Sequence, residues 1–193
     1  MYSRDGLEQR TFRPGPRAVN AVAFAPGGDA LAAADVHGTV SVWDLASGRQ
    51  TVRFPGPDRA ADCLEFAPDG MTLVASSSLL SYPLVCEPGT GRARPVAAGL
   101  SNLNGAVAFA PDGRTLAMAG GDGSVLLWGL DSRQVRAVLP GRHSMIWALA
   151  FTPDGRWLAS GGDDLTIRLW HVPETAVGEP STPFSSPPRT GGR

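Results

Sequence analysis

Between Ala150 and Trp170 the chain reads AFTPDGRWLASGGDDLTIRLW, three strand-like runs divided by two turn signals. Pro153-Asp154-Gly155 marks a hairpin, because proline presets φ at the second turn position and glycine takes the positive-φ place that closes it. Trp157 to Ser160 then reads as a second strand and Gly161 to Asp164 as a second turn. The run TIRLW reads as a third strand, β-branched and apolar on both faces, as a strand packed between neighbouring layers should be. Upstream, Leu149 and Phe151 alternate with alanines, so the pleat sends both large side chains to one face of a first strand.

The same phrase occurs four times: AFAPGGD from Ala23, EFAPDGM from Glu65, AFAPDGR from Ala108 and AFTPDGR from Ala150. Phe24, Phe66, Phe109 and Phe151 are 42, 43 and 42 residues apart, a period inside the roughly 40–45 residues of blade-type repeats. A second anchor falls nineteen residues after the phenylalanine at Trp43, Trp128 and Trp170, and one residue later, at Cys86, in the second unit. A fourth, more polar strand is expected at Gln50 to Phe54 and at Gln134 to Leu139.

These residues resemble the WD-repeat (WD40-type) family of β-propellers, whose units carry a GH pair, a VAFSPDG-like hairpin and a TIRLWD-like third strand. The match is strong in the fourth unit, good in the first and third, and poor in the second. Only Trp43 is followed by aspartate, Asp44, no literal GH occurs, and four units stand where that family usually has seven. The resemblance implies an all-β fold of about four blades, each a four-stranded antiparallel sheet, forming an open arc or part of a larger ring. The units are expected at 18–56, 57–99, 100–141 and 142–172. Residues 1–17 are expected to hold an outer strand of a blade, since Arg10 to Gly15 resembles Val52 to Gly56, and such a strand closes the ring in propellers of this type. Residues 173–193, rich in Pro, Ser and Gly, read as a disordered tail.

Composition narrows the function. The 193 residues suit one domain with appendages. Gly and Pro are abundant, 24 and 17, which marks a turn-rich chain, while 42% apolar and 18% charged residues suffice for a packed core. Seventeen basic residues, all arginine, face eighteen acidic ones for a net charge of −1, so the electrostatic footprint of a nucleic-acid binder is missing. Without lysine, Schiff-base chemistry and a Walker-type phosphate loop are excluded. Cys63 and Cys86 form no CxxC pair, the first ten residues hold no signal-like apolar run, and no stretch nears the ~20 apolar residues that span a bilayer. A reducing cytoplasm, with no membrane partner, is the expected location.

His143, Ser160 and Asp164 invite comparison with a hydrolase triad, but no nucleophile elbow accompanies them. The resemblance implies a structural role instead: a chain of hydrogen bonds from Trp170 through Ser160 and His143 to Asp164. The network decays elsewhere, to His37, Ala33 and Trp43 in the first unit and to Asp122, Met118 and Trp128 in the third. Asp122 is expected to cap its own turn. His37 reads as a turn residue, with no second ligand at metal spacing, and His171 as a solvent-exposed residue. Cys63 reads as a small buried filler, and Cys86 as the replacement of a core aromatic that loosens the second unit. The glycine clusters at Gly120 to Gly123 and at Gly161 and Gly162 precede strands rather than helices, so they read as turns and not phosphate cradles. No catalytic, cofactor or metal residue is expected.

Function is expected on the rim where first strands begin and second-to-third turns emerge. The candidate partner-binding residues are Asn20, Val36, Leu103, Gly121, Met145, Trp147 and Asp163. Trp147 carries two readings, an interface anchor or a residue packed under Trp157 or a loop. The leading expectation is a non-catalytic scaffold, regulatory or assembling, that binds a protein or peptide. The alternatives are a fragment of a longer propeller without activity of its own, or a propeller hydrolase. The exposed end faces of an open arc point to a homodimer or to completion by another propeller-forming chain.

Overall fold

Every repeat of the Phe-x-Pro phrase closes a hairpin in the computed structural model of the chain, which describes residues 10–55, 60–77, 82–96, 103–141 and 144–173. The N–H of Gly28, Gly70, Gly113 and Gly155 donates back to the carbonyl of Ala25, Ala67, Ala110 and Thr152 at 2.9–3.0 Å. All four glycines have φ between +64° and +69°, the left-handed conformation that only glycine adopts without strain. The turn aspartates hold the following N–H groups, with Asp69 accepting from Met71 and Asp112 from Arg114, each at 2.8 Å.

Four antiparallel sheets result. The first comprises β1 (Val19–Phe24), β2 (Ala30–Asp35), β3 (Thr39–Asp44) and β4 (Gln50–Pro55), and the second β5 (Cys63–Phe66), β6 (Leu73–Ser76), β7 (Leu84–Glu87) and β8 (Arg92–Pro95). The third comprises β9 (Leu103–Phe109), β10 (Thr115–Gly120), β11 (Val125–Gly129) and β12 (Gln134–Leu139). The fourth has three strands among the described residues: β13 (Ile146–Phe151), β14 (Trp157–Gly162) and β15 (Ile167–His171). Strand order follows chain order in each sheet. The register repeats as well: Leu31 faces Trp43, Leu116 faces Trp128 and Leu158 faces Trp170, while Leu73 faces Cys86. Cys86 therefore occupies the tryptophan place and is fully buried.

The sheets stack face to face, with β1 beside β5, β5 beside β9 and β9 beside β13. One apolar cluster fills each gap. Ala32, Ala34, Val40, Val42 and Phe54 meet Leu64, Phe66, Leu73 and Cys86 in the first, and Val74, Val85 and Val96 meet Val107, Phe109, Leu116 and Met118 in the second. Ala117, Val125, Leu127 and Leu139 meet Ile146, Leu149, Leu158 and Trp170 in the third. In each gap small residues on the leading sheet take the large ones of the following sheet, which lets wedge-shaped layers approach closely. The first and last sheets do not meet, so the blades form an open arc.

Of the outer strand expected within residues 1–17, the described part joins no sheet in the single chain. Residues 1–9 lie outside the described residues, and residues 10–18 form no strand and add nothing to the fourth sheet. They lie against the first sheet instead: the Phe12 ring sits 5.8 Å from that of Trp43, and an Arg10 guanidinium N–H donates to the Leu45 carbonyl at 2.6 Å. The physical reason is proximity, since with β1 beginning at Val19 the nearest apolar surface for Phe12 is the uncovered face of the sheet it precedes. The tail expected to be disordered falls, from residue 174 on, outside the described residues.

Candidate protein-interaction site

The first strands carry a common irregularity at the rim. In β1 and β13 the pairing slips by one residue near the strand start, at Val19/Ala21 and Ile146/Ala148, and in β9 by two, between Val107 and Leu103, which marks a β-bulge that re-aims a side chain. Asn20 and Trp147 are the residues thrown out of register, and Asp62 and Gly105 stand at the same repeat position in the second and third units. Three of these four equivalent residues, Asp62, Gly105 and Trp147, line one cavity at the start of the first strands, and Asn20 bonds to Asp62 beside it. The Asn20 amide donates to the Ala61 carbonyl at 2.9 Å and to Asp62 Oδ1 at 3.3 Å, tying the first sheet to the second. Gly105, with φ +84°, leaves a gap. Trp147 is 55% exposed, and its Nε1–H donates to Asp163 Oδ1 at 2.5 Å.

A cavity of about 280 Å³ opens beside these residues, lined by Asp62, Cys63, Gly105, Val107, Trp147 and Leu149 among others. Its lining is mostly apolar, with Asp62 its one carboxylate among the described residues. A larger depression of about 670 Å³ lies elsewhere, between turn residues such as Asp69, Asp112, Arg114 and Asp131. There the charges are spent on one another, as in the 3.8 Å pair of Arg114 and Asp131, so it is a solvated surface cleft.

The structure separates the expected binding residues. Trp147 and Asp163 come together on the rim, while Asn20 joins Ala61 and Asp62 instead; Met145 is half-buried, its carbonyl accepting from the Asp163 N–H at 3.0 Å. The reading of Trp147 as a packed residue does not fit its exposure; Trp157 stacks edge-on with His171 instead, at 5.2 Å. Val36 and Gly121 are exposed in the turns of the first and third units. Leu103 is a correction: it is buried in the core between the second and third sheets, because β9 begins early enough to draw it inside. Asp62, Gly105 and Leu165 were not among the expected residues. The repeat period finds the first two, since stepping one period at a time from Asn20 lands on Asp62, Gly105 and Trp147. Leu165 stands where Gly38 and Gly123 stand in other units, with φ +60° and 96% exposure.

Only the first link of the expected bracing network is present among the described residues. Trp170 Nε1–H donates to the buried Ser160 Oγ at 2.9 Å. His143 lies outside the described residues. The Asp164 carboxylate takes the Thr166 N–H at 3.1 Å and the Thr166 hydroxyl at 2.8 Å, and pairs with Arg168; its expected bond to His143 falls outside the described residues. Those Thr166 and Arg168 contacts hold the aspartate's pKa below the usual value. Asp122 likewise accepts from Ser124, at 2.9 Å to the N–H and 2.6 Å to the hydroxyl. In the third unit Met118 replaces the serine, and the buried Trp128 Nε1–H has no acceptor among the described residues. Trp43 is buried beneath Phe12. His37 is a turn residue whose N–H donates to Asp35 Oδ1 at 2.8 Å. Burial pushes the Asp35 carboxyl up, but the N–H groups of His37 and Thr39, the Thr39 hydroxyl and Arg17 outweigh it and hold the pKa low.

Both thiols are unpaired, and burial raises Cys63 to about 11 and Cys86 to about 12, which leaves neither a nucleophile near neutral pH. Among the described residues no group of three His, Cys, Asp or Glu could hold a metal ion, and no helix is long and apolar enough to cross a membrane.

Comparison with known proteins agrees with this architecture. The family model described as "WD domain, G-beta repeat" matches residues 6–44, 105–129 and 133–171. The second unit, where Cys86 replaces the tryptophan, lies outside those matches. No curated protein matches the sequence significantly. Among solved structures, the computationally designed Ika4 protein superposes with a TM-score of 0.73 at 22% identity, covering 86% of this chain and all of its own. That likeness speaks for the fold alone. Register, blade stacking and the repeat matches together place the chain in the WD40 repeat family of β-propellers.

Proposed function

We propose that the chain is a non-catalytic protein-interaction scaffold that binds its partner on the inner-strand rim of the third and fourth blades. WD40 domains generally mediate protein–protein interactions. The observation that carries the reading is Trp147: a bulge turns it out of its strand, Asp163 fixes its ring, and it stands exposed over an apolar cavity with Asp62 on the far side. An oriented, half-exposed tryptophan is a favoured interface anchor. An apolar floor beneath an exposed indole suits a peptide segment whose side chain has an aliphatic stem and a basic head, with the indole face adding cation–π attraction and Asp62 one carboxylate at the edge.

Leu165 supports the same face. A fully exposed leucine held at φ +60°, where sister units use glycine, is costly for folding alone and is the kind of strain that functional surfaces keep. We further place the protein in a reducing compartment such as the cytoplasm, a reading supported by its two unpaired thiols. The test is affinity capture with the wild-type chain and with Trp147→Ala, followed by measurement of the purified partner's affinity. The variant should melt within a few degrees of wild type and lose at least tenfold in affinity. A large fall in melting temperature with unchanged affinity would assign Trp147 to the core and refute the site.

A further inference from the structure

Four blades in series have three internal interfaces and two outer faces, and the outer faces are the two halves of a fourth interface. On the fourth sheet, Ile167 and Leu169 are 81% and 67% exposed. Their repeat equivalents, Val125 and Leu127 in the third unit and Val40 and Val42 in the first, are buried against the following blade. On the first sheet, Val22 and Phe24 are 62% and 66% exposed. Their equivalents Leu64 and Phe66, and Val107 and Phe109, are buried against the preceding blade. Each end face therefore carries the side chains that the other end of the chain is built to receive.

The hairpin turns show the same vacancy. At each internal interface the turn proline of one blade backs the turn glycine of the next: a Cβ on Gly70 would lie 3.7 Å from Pro26, one on Gly113 3.9 Å from Pro68, and one on Gly155 3.5 Å from Pro111. A Cβ on Gly28, the first of the series, would meet nothing within 4 Å. The seat for a preceding blade's proline is open.

The N-terminal segment decides what fills that seat. Phe12 stands one repeat period before Phe54, which is followed by Val96 and Leu139 at spacings of 42 and 43 residues. These three close the outer end of each interface in the same clusters as Cys86, Trp128 and Trp170. Phe12 against Trp43 reproduces that pairing. Residues 10–14 thus lie where the outer strand of a blade preceding the first would lie, and between them and the first sheet runs a groove of about 320 Å³, lined by Phe12, Pro14, Val22, Leu31, Ala33 and Trp43. The occupant must be a blade that lacks its outer strand. The fourth sheet, which ends at β15 among the described residues, is such a blade.

We propose that a second copy of this chain is the occupant: the fourth sheet of each copy enters the groove of the other, β15 pairing with residues 10–13, and two copies close a ring of eight blades through two identical head-to-tail interfaces. Head-to-tail contacts either close or run on as filaments. Eight blades lie within the roughly four to eight that propellers use, and twelve from three copies do not.

The test is the mass of the 193-residue chain by light scattering, with two variants that alter only side chains exposed in the single copy, Phe24→Arg on the first sheet and Ile167→Arg on the fourth. Wild type should elute at about 40 kDa, twice the chain mass of 20.1 kDa. Each variant should retain the wild-type circular dichroism spectrum and run as a monomer, its dimer dissociation constant raised at least a hundredfold. Mixing the two should restore a dimer, because one interface in the mixed pair joins two unaltered faces. A wild-type monomer overturns the proposal, whether the chain's own residues 174–193 or nothing covers the faces. So do masses that grow beyond two copies with concentration, and so does dimerisation of either variant alone, which would signal a face pairing with itself. None of these outcomes bears on Trp147, whose partner affinity is measured separately.

Discussion

Glu65 stands where the other three units have alanine, at Ala23, Ala108 and Ala150, and it faces the gap between the second and third blades. Burial pushes its carboxyl from 4.5 up to about 7, against the opposing pull of the Phe109 N–H that donates to Oε1 at 3.2 Å. A raised acid pKa means that the folded chain prefers the protonated form. The stabilisation is complete below the unfolded value of 4.5 and is lost as pH rises through 7. At about 1.4 kcal/mol per pKa unit the ceiling is about 3 kcal/mol. The side chain is partly exposed, so water screens some of that and about 2 kcal/mol is expected. Glu65→Gln keeps an acceptor for Phe109 and cannot ionise. Urea denaturation at pH 5 and pH 8, at one protein concentration because association shifts apparent stability, should show the variant near wild type at pH 5. At pH 8 it should be more stable by about 2 kcal/mol. Asp35, Asp44 and Asp154 have lowered pKa values and pull the opposite way at low pH, but they are common to both proteins and cancel in the difference. A difference that is the same at both pH values would refute the reasoning.

Ser160→Ala removes the acceptor for Trp170 Nε1–H and should cost about 1–2 kcal/mol by denaturant titration, with the Trp170 fluorescence shifted; an unchanged midpoint would mean that water replaces the hydroxyl. Leu165→Gly relieves a left-handed leucine worth about 1–2 kcal/mol at a glycine entropy cost of about 0.5–1 kcal/mol. Its stability should hold or rise slightly while affinity for the rim partner falls, and a drop in stability would remove Leu165 from the functional surface.

The blades were legible because their information is local and repeated. A Pro-Asp-Gly turn fixes a hairpin wherever it occurs, and Phe24, Phe66, Phe109 and Phe151 report their common face through spacing alone. Trp170 to Ser160 could be foreseen for the same reason, since register sets which strand neighbours meet. The Thr166 bonds of Asp164 could not, because whether a turn aspartate holds an adjacent threonine is decided by distances that only coordinates supply. Leu103 was misread because strand starts are not encoded by the repeat anchors: one residue more of β9 moves a rim residue into the core. Trp147 was found through its type, but its companions Asp62 and Gly105 are visible only when positions, not residue kinds, are carried along the period.

The second blade explains why weak repeats survive in such an array. Its strands span four residues where the first sheet's span six, and Cys86 leaves it without a tryptophan. Three polar links to its neighbours stand in place of that packing: Asn20 to the Ala61 carbonyl, the buried Ser76 hydroxyl to the Gly105 carbonyl at 2.5 Å, and Glu65 to the Phe109 N–H. In a chain of stacked units, stability is a sum of unit terms and nearest-neighbour terms. A poor unit is therefore tolerated in the interior, where two interfaces hold it, and not at an end, where one does. The well-formed first, third and fourth units and the poor second follow that order: the fourth blade, with only the third beside it, keeps the tryptophan–serine bond that the third lacks. Hydrogen exchange of the backbone should accordingly be slow in β10 and β11, which are buried between two blades of one chain and lie in a complete sheet, and β15 should be protected in the wild-type dimer and exchange faster in the Ile167→Arg monomer; equal exchange of β15 in the two would show that its face stays open to solvent.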